Sequence, residues 1–396
     1  MKQRDLILGL GFLGAFTMAA QSPYTGSVAP TEGSADFYLY QVESGKWLQN
    51  NTTRGHWTTR AGLDKDGFDV EVKVIEGGYQ LNPKLNGNGS INGEGLYMDT
   101  GRGVTTWGLV PVMVDGVSNA YNIQMIACDV EDQPQYLLGE EDGLIADQNS
   151  VGQTWQLVSR ADRINHMKAE LANGPVDASW LIPAGDFSRN DKRSSQWVYK
   201  LIGGSGLGIS GSQHNSLQEA WDNARYYVHY IVLTDIPNGT YKFTPYGYYR
   251  EDWESQEAWD RYNNGETICR AQYFAGESIH DFMHPADPGF TEKPDYEGVD
   301  GDWRSVEALG GNWIPNCTTA GSTAILAGYY KNEPIETVVT DGTLVLGVIK
   351  HDGDYHDWVA YDNFRLEYVS DATPAADLTK LVEEVNSEIK AVEALP

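Results

Sequence analysis

The chain has 396 residues, enough for two or three domains, each able to bury a core. It carries 28 Lys and Arg against 56 Asp and Glu, a formal charge of −28; such a surface repels polyphosphates and anionic lipids and excludes nucleic acid as a partner. Hydrophobic residues at 41% and charged residues at 21% exclude a disordered chain, while 43 Gly, 12 Trp and 23 Tyr suit short strands and tight turns better than helices.

Lys2 and Arg4 open the chain, Leu6 to Phe16 is an apolar run, and Thr17-Met18-Ala19-Ala20 follows. That layout predicts a secretory signal peptide over 1–20, cleaved after Ala20, and a secreted or cell-surface protein. No Cys lies beside the cleavage site to take a lipid. No later segment has the roughly 20 apolar residues of a membrane span. Three cysteines, Cys128, Cys269 and Cys317, are too few for a disulfide framework; Cys269 and Cys317 are either bridged or free, and Cys128 reads as a buried thiol.

Residues 21–35 are rich in Pro, Gly and Ser and read as a linker. Beyond them, aromatic-x-aliphatic strand starts recur at Phe37, Tyr79 and Tyr121, a constant step of 42 residues. Each leads to a short strand (Gly45-Lys46-Trp47-Leu48, Gly95-Leu96-Tyr97-Met98, Gln135-Tyr136-Leu137-Leu138). Each unit closes on a ring-x-aliphatic strand at Phe68, Trp107 or Trp155. Alternating apolar positions bury one strand face. Three such units, none able to bury its face alone, predict one shared core in a closed threefold β structure. The span 36–159, with Gln153-Thr154-Trp155 closing its third unit, resembles a ricin-type β-trefoil lectin. The resemblance implies sugar contacts from an Asp after the second strand of a unit, which Asp99 matches.

Ser159 followed by Asp162 is an N-cap with an acidic third position, and Ile164, Met167 and Leu171 give helical spacing, so a helical connector is predicted over 160–173. From 174 to 370 the texture changes to strands: Tyr226–Leu233, Gly239–Tyr249, Thr267–Ala275, Ile335–Thr340, Thr343–Lys350, Asp357–Tyr361 and Asn363–Val369, with one short helix within 315–326. Their alternation without helical crossovers predicts an antiparallel sandwich. The opening Leu181-Ile182-Pro183-Ala184-Gly185-Asp186-Phe187 with Trp197, the hairpin Ile236-Pro237-Asn238-Gly239-Thr240-Tyr241 and the terminal Asp357-Trp358-x-x-Tyr361-Asp362-Asn363-Phe364 resemble the galactose-binding-like jelly rolls used as carbohydrate-binding modules. The tandem order resembles modular secreted proteins of the Bacteroidetes. The resemblance further implies a structural Ca²⁺, an ion that takes six to eight oxygens, with Asp362 and Asp186 as its carboxylates.

Sugar rings present flat apolar faces and polar rims, so their sites combine aromatic platforms with a few hydrogen-bonding groups. The stretch 250–318 is long for a loop and rich in rings; Trp253, Trp259, Tyr262, Trp303 and Trp313 are its candidate platforms, with a neutral glycan favoured by the surrounding acids. Trp197, Trp221 and Trp358 read as framework. His280 and His284 have the i, i+4 spacing of a zinc pair, but Pro285 leaves at most one helical turn, and a structural role is expected. No nucleophile elbow, P-loop or dinucleotide motif is present. The last segment, 371–396, opens with Thr373-Pro374 and carries an apolar stripe from Leu378 to Leu395; it predicts a helix that packs back on the sandwich or begins a further region.

These readings converge on an all-β, two-domain protein that binds carbohydrate without catalysis. Two alternatives stand beside it: a glycoside hydrolase or lyase with its site in 250–318, and a structural or adhesion protein whose domains are spacers.

Overall fold

The computed structural model describes residues 22–51, 60–84, 89–93, 96–98, 105–127, 135–140, 143–147, 153–187, 191–204, 207–211, 216–221, 224–251, 255–293, 303–306, 311–351 and 357–371. Residues 1–20, read from sequence as a signal peptide, Cys128 and the C-terminal stripe lie outside them.

The first part contains β1 (Ser34–Gln41), β2 (Lys46–Asn51), β3 (Arg60–Asp64), β4 (Asp69–Ile75), β5 (Gly78–Pro83), β6 (Thr106–Val114), β7 (Val117–Ala127), β8 (Gln135–Glu140), β9 (Gly143–Asp147) and β10 (Trp155–Val158). All pair antiparallel. Six of them form a closed ring, β1-β4-β5-β6-β7-β10 and back to β1. A closed ring leaves no sheet edge to pair with a neighbour. Pairs within a repeat alternate with pairs between repeats, and the three internal registers are Phe37↔Val70, Tyr79↔Trp107 and Tyr121↔Trp155. The 42-residue step is therefore structural. The first repeat differs, because Phe68 lies two residues before the register position held by Trp107 and Trp155. All three closing rings are nonetheless buried in one core with Phe37, Leu39, Leu81 and Ile123. Trp107 donates its ring N–H to the Ile91 carbonyl at 2.9 Å, as a buried indole must find an acceptor.

Residues 22–33 are not a free linker. Ser27 donates its backbone N–H to the Leu157 carbonyl (2.6 Å), Ala29 donates to the Tyr121 hydroxyl (2.9 Å), and the Tyr24 ring sits edge-on to Tyr40 and Trp47. Small and Pro residues lie here because the segment runs closely over the ring, and composition alone does not distinguish that from a loose tether.

Helix α1 (Arg160–Glu170) starts where predicted, with the Ser159 hydroxyl accepting from the Asp162 N–H at 3.1 Å. It leads into β11 (Val176–Asp177), β12 (Val198–Gly204), β13 (Leu207–Gly211), β14 (Ser216–Trp221), β15 (Ala224–Leu233), β16 (Gly239–Arg250), α2 (Ser255–Asn264), β17 (Ala271–Ala275), β18 (Ser278–Asp281), β19 (Trp303–Val306), β20 (Asn312–Pro315), α3 (Thr318–Leu326), β21 (Ile335–Val339), β22 (Leu344–Lys350) and β23 (Trp358–Ser370). Two antiparallel sheets face each other: β13-β14-β23-β16-β21, with β11 on β23, and β12-β15-β22-β17-β18. The two predicted strands 357–361 and 363–369 are one continuous strand, β23.

Period-two geometry explains the apolar run that starts β23. Val359 and Tyr361 face the core between the sheets, while Trp358 and Ala360 face the other way under α3 with Tyr248, Ala324 and Ile325. A strand covered on both faces reads as continuously hydrophobic. Gly347 has to be glycine here, since a Cβ would lie 2.2 Å from the His229 carbonyl of the adjoining strand.

The two parts share core. Tyr38, Tyr40, Trp47, Val117 and Met167 belong to the same buried cluster as the sandwich interior. Arg163 of α1 is buried there with its guanidinium 4.7 Å from the Tyr38 ring, 4.0 Å from Trp47 and 4.2 Å from Trp180. Asp66 pairs with Arg365 at 2.8 Å.

Candidate functional site

The stretch 250–318 is built rather than loose. It contains α2 and the β19–β20 hairpin. Trp259 is a correction to its sequence reading: α2 turns the ring inward against Ala286 and Ile314, leaving it 4% exposed, so it packs and offers no open platform. The Tyr262 ring is half-buried and nearly parallel to His284, 4.7 Å away at 15°. Trp313 is half-buried against the cluster beneath α3. Trp303 is a residue of β19, whose side chains lie outside the description, and Trp253 and Asp99 lie outside the described residues altogether. Trp259 and Tyr262, three residues apart in α2, share one helix face, and both pack on the Ala286–Ile314 cluster.

His280 is exposed on β18, whereas His284 is buried 3.8 Å from the Glu251 carboxylate. Burial, reinforced by Arg250, pushes the His284 imidazole down to about 4, so it is neutral near pH 7. The histidines are on a strand and the turn after it, not one helical face. Among the described residues no group of three or more metal-ligating side chains is gathered. Cys269 and Cys317 are free thiols, and burial raises Cys269 to about 12, which makes it inert as a nucleophile.

Asp186 and Asp362 do come together. The Phe364 N–H donates to the Gly185 carbonyl at 2.8 Å, which joins the opening loop to β23. Asp362 is 2% exposed, and burial followed by the Asp186 charge holds its carboxyl well above the usual carboxylate range. Ala184, Phe187 and Asn363 all have left-handed backbone, with φ of 52°, 42° and 48°. Such strain in non-glycine residues persists where the surroundings impose it, commonly at ligand sites.

A second feature was not found by sequence reasoning. At one edge of the sandwich, where edge strands β12 and β13 of the two sheets lie side by side, a cavity of 230 Å³ opens. Trp197, Tyr199 and Phe187 supply its rings, and Ser194, Gln218 and His229 supply polar groups. The Trp197 and His229 rings lie 5.0 Å apart, and the indole N–H is already used, donating to the Pro183 carbonyl at 2.7 Å. Tyr199 is half-buried, so its ring is the accessible wall. Gly208 lines the rim, and a Cβ there would meet nothing within 4 Å. Strands β12 and β13 carry the alternation too weakly, through Gly203, Gly204, Gly208 and Gly211, to be read as strands from sequence, which hid the site.

His229 Nδ1 lies 2.8 Å from the Tyr361 hydroxyl, and burial pushes its imidazole down to about 3 from 6.5. A depressed histidine binds its proton more weakly when folded. Its contribution to stability is complete above pH 6.5 and is lost as the pH falls toward 3. At pH 5 the loss is about 2 kcal/mol. The melting temperature measured between pH 7 and pH 5 is expected to fall, and to fall distinctly less in His229→Gln; equal slopes would contradict the burial of a neutral His229.

No protein-family model matches this sequence, and no curated protein matches it. Among solved structures, the chain is similar to a family 35 carbohydrate binding module from Clostridium thermocellum, at 11% identity, over 49% of this chain and 98% of that one, with a TM-score of 0.22. At that score the overlap of the two chains is slight.

Proposed function

We propose that this is a secreted, non-catalytic carbohydrate-binding protein that holds a neutral glycan in the sandwich-edge cavity. The observation that carries the reading is the lining itself: an accessible Tyr199 ring beside a buried Trp197, with an amide, a hydroxyl and a neutral imidazole around them. An apolar ring face and a few convergent uncharged hydrogen-bonding groups match a pyranose. Among the described residues no cation lines the cavity to attract a uronate. A glycan array probed with residues 21–371 is expected to return neutral glycans; an array with no hits overturns the reading. The near-parallel stack of Tyr262 on His284 favours Tyr262, with the half-buried Trp313, as an auxiliary sugar contact.

The six-strand ring and its three equivalent registers support reading the first unit as a β-trefoil, with Asp99 as its sugar-contacting acid. The strained Asp186–Asp362 loops support a structural Ca²⁺. Asp362 is buried with the exposed Asp186 near enough for its charge to be felt, and a cation would relieve that, the remaining oxygens coming from backbone carbonyls. A ligand of the native state stabilises by mass action, so chelator is expected to lower the melting temperature and added Ca²⁺ to restore it. Superimposable melting curves would remove the ion.

A further inference from the structure

A second cavity, of 300 Å³, lies where the two units meet. Its walls come from both. Asp36, Tyr38 and Asp69 belong to the strand ring, Arg160 opens α1, and Trp180, Arg193 and Gln196 belong to the sandwich unit. Its volume reaches the lower limit of ordinary ligand pockets, roughly 300–1,000 Å³. The charges inside are largely cancelled by partners. Lys84 bonds to Asp36 and lies 3.4 Å from Asp69, while Arg193 grips Asp191 through two nitrogens at 2.6 and 3.0 Å. Arg160 stacks over Trp180 at 5.6 Å. The cavity therefore presents strong donors and acceptors with little net field, over the buried Tyr38 and Trp180 side chains. That combination suits an uncharged, hydroxyl-rich ligand, and the two aspartates disfavour an anion.

The two cavities share a wall. One short 3₁₀ segment, Lys192–Gln196, followed by Trp197, sends Arg193 and Gln196 to the junction cavity and Ser194 and Trp197 to the edge cavity. Pro183 lines the junction cavity, and its carbonyl is the acceptor for the Trp197 indole. At about 2 Å of rise per residue, the two linings lie within roughly 10 Å along this segment, the span of two linked sugar rings. We propose that the cavities are two subsites for one neutral oligosaccharide, which crosses the 192–197 segment with one sugar against Tyr199 and another against the Asp36–Arg160 rim. This rests on the carbohydrate reading of the edge cavity and adds to it that the first unit takes part in recognition and that the ligand is at least a disaccharide.

The test is calorimetric titration of the full chain with β-1,4-linked glucose, mannose, xylose and galactose ladders of one to six sugars. For the ladder that binds, affinity is expected to rise at least tenfold between one and three sugars and then level off. Arg160→Gln and Gln196→Ala, both at incompletely buried positions, should abolish that rise while leaving monosaccharide affinity within twofold and melting unchanged. Tyr199→Ala should weaken every length alike. Affinity independent of length, or a rise that survives both junction variants, overturns the two-subsite arrangement and leaves the edge site standing. Silence from every ladder overturns it as well, and the glycan array then decides the carbohydrate reading separately.

Discussion

Trp155→Ala is expected to cost about 4 kcal/mol, the usual range for emptying a buried tryptophan site, and to lower the melting temperature by about 10 °C. The size follows from position as well as volume. Trp155 is fully buried, and β10, only four residues long, is the strand that closes the ring by pairing with both β1 and β7. A cavity there loosens both seams. Trp155→Phe keeps most of the ring area and should recover about half of the loss. Calorimetry showing a loss below about 1 kcal/mol for the alanine variant would contradict a closed ring packed on this side chain.

Arg163→Ala should have an effect of similar size, by a different route. The guanidinium is enclosed by three aromatic rings, and burial lowers its pKa to about 10, still charged at neutral pH. A cation over an aromatic face contributes up to about 2 kcal/mol when desolvated. Burial of the charge opposes that gain. Removing the side chain deletes the contacts and leaves a void, for an expected loss of about 3 kcal/mol. Because Tyr38 and Trp47 come from β1 and β2 of the first unit and Trp180 from the sandwich unit, the loss falls on their junction, and one melting transition should split into two. Arg163→Met, which refills the space without charge, should recover about half. A single unshifted transition in Arg163→Ala would show that Arg163 does not join the units.

Much of this architecture is legible in the sequence, for identifiable reasons. The repeat is visible because each unit must put large rings into one core: Phe37, Tyr79 and Tyr121 hold a 42-residue step, and Phe68, Trp107 and Trp155 close the units after turns of unequal length. The sandwich strands from β15 onward are visible because their apolar positions alternate or run continuously. The Asp186–Asp362 approach is carried by two short motifs at opposite ends of one unit. What is not legible depends on which way a side chain turns, or on strands with few side chains. Trp259 shares its polar, Gly-rich neighbourhood with exposed rings, and only the helix phase of α2 shows that it points inward. The edge cavity exists where the Gly-containing strands β12 and β13 form sheet edges, and glycine leaves no hydrophobic period to count. Packing of residues 22–33 over the ring depends on backbone hydrogen bonds, which residue types do not report. Asp66 and Arg365 are almost 300 positions apart, and no local pattern links them.

The central claim is that the sandwich-edge cavity binds a neutral sugar, and one comparison tests it most directly. Affinity for the best array glycan is measured by calorimetry for the unaltered chain, for Tyr199→Ala, which removes the accessible ring, and for Gly208→Val, which fills the rim where a Cβ meets nothing. The account predicts that Tyr199→Ala weakens binding by about 30-fold, near 2 kcal/mol. Gly208→Val should weaken it at least tenfold while the melting temperature holds or rises, since valine suits a strand better than glycine. Unchanged affinity in both variants, with the fold intact, would place the ligand elsewhere and contradict the account.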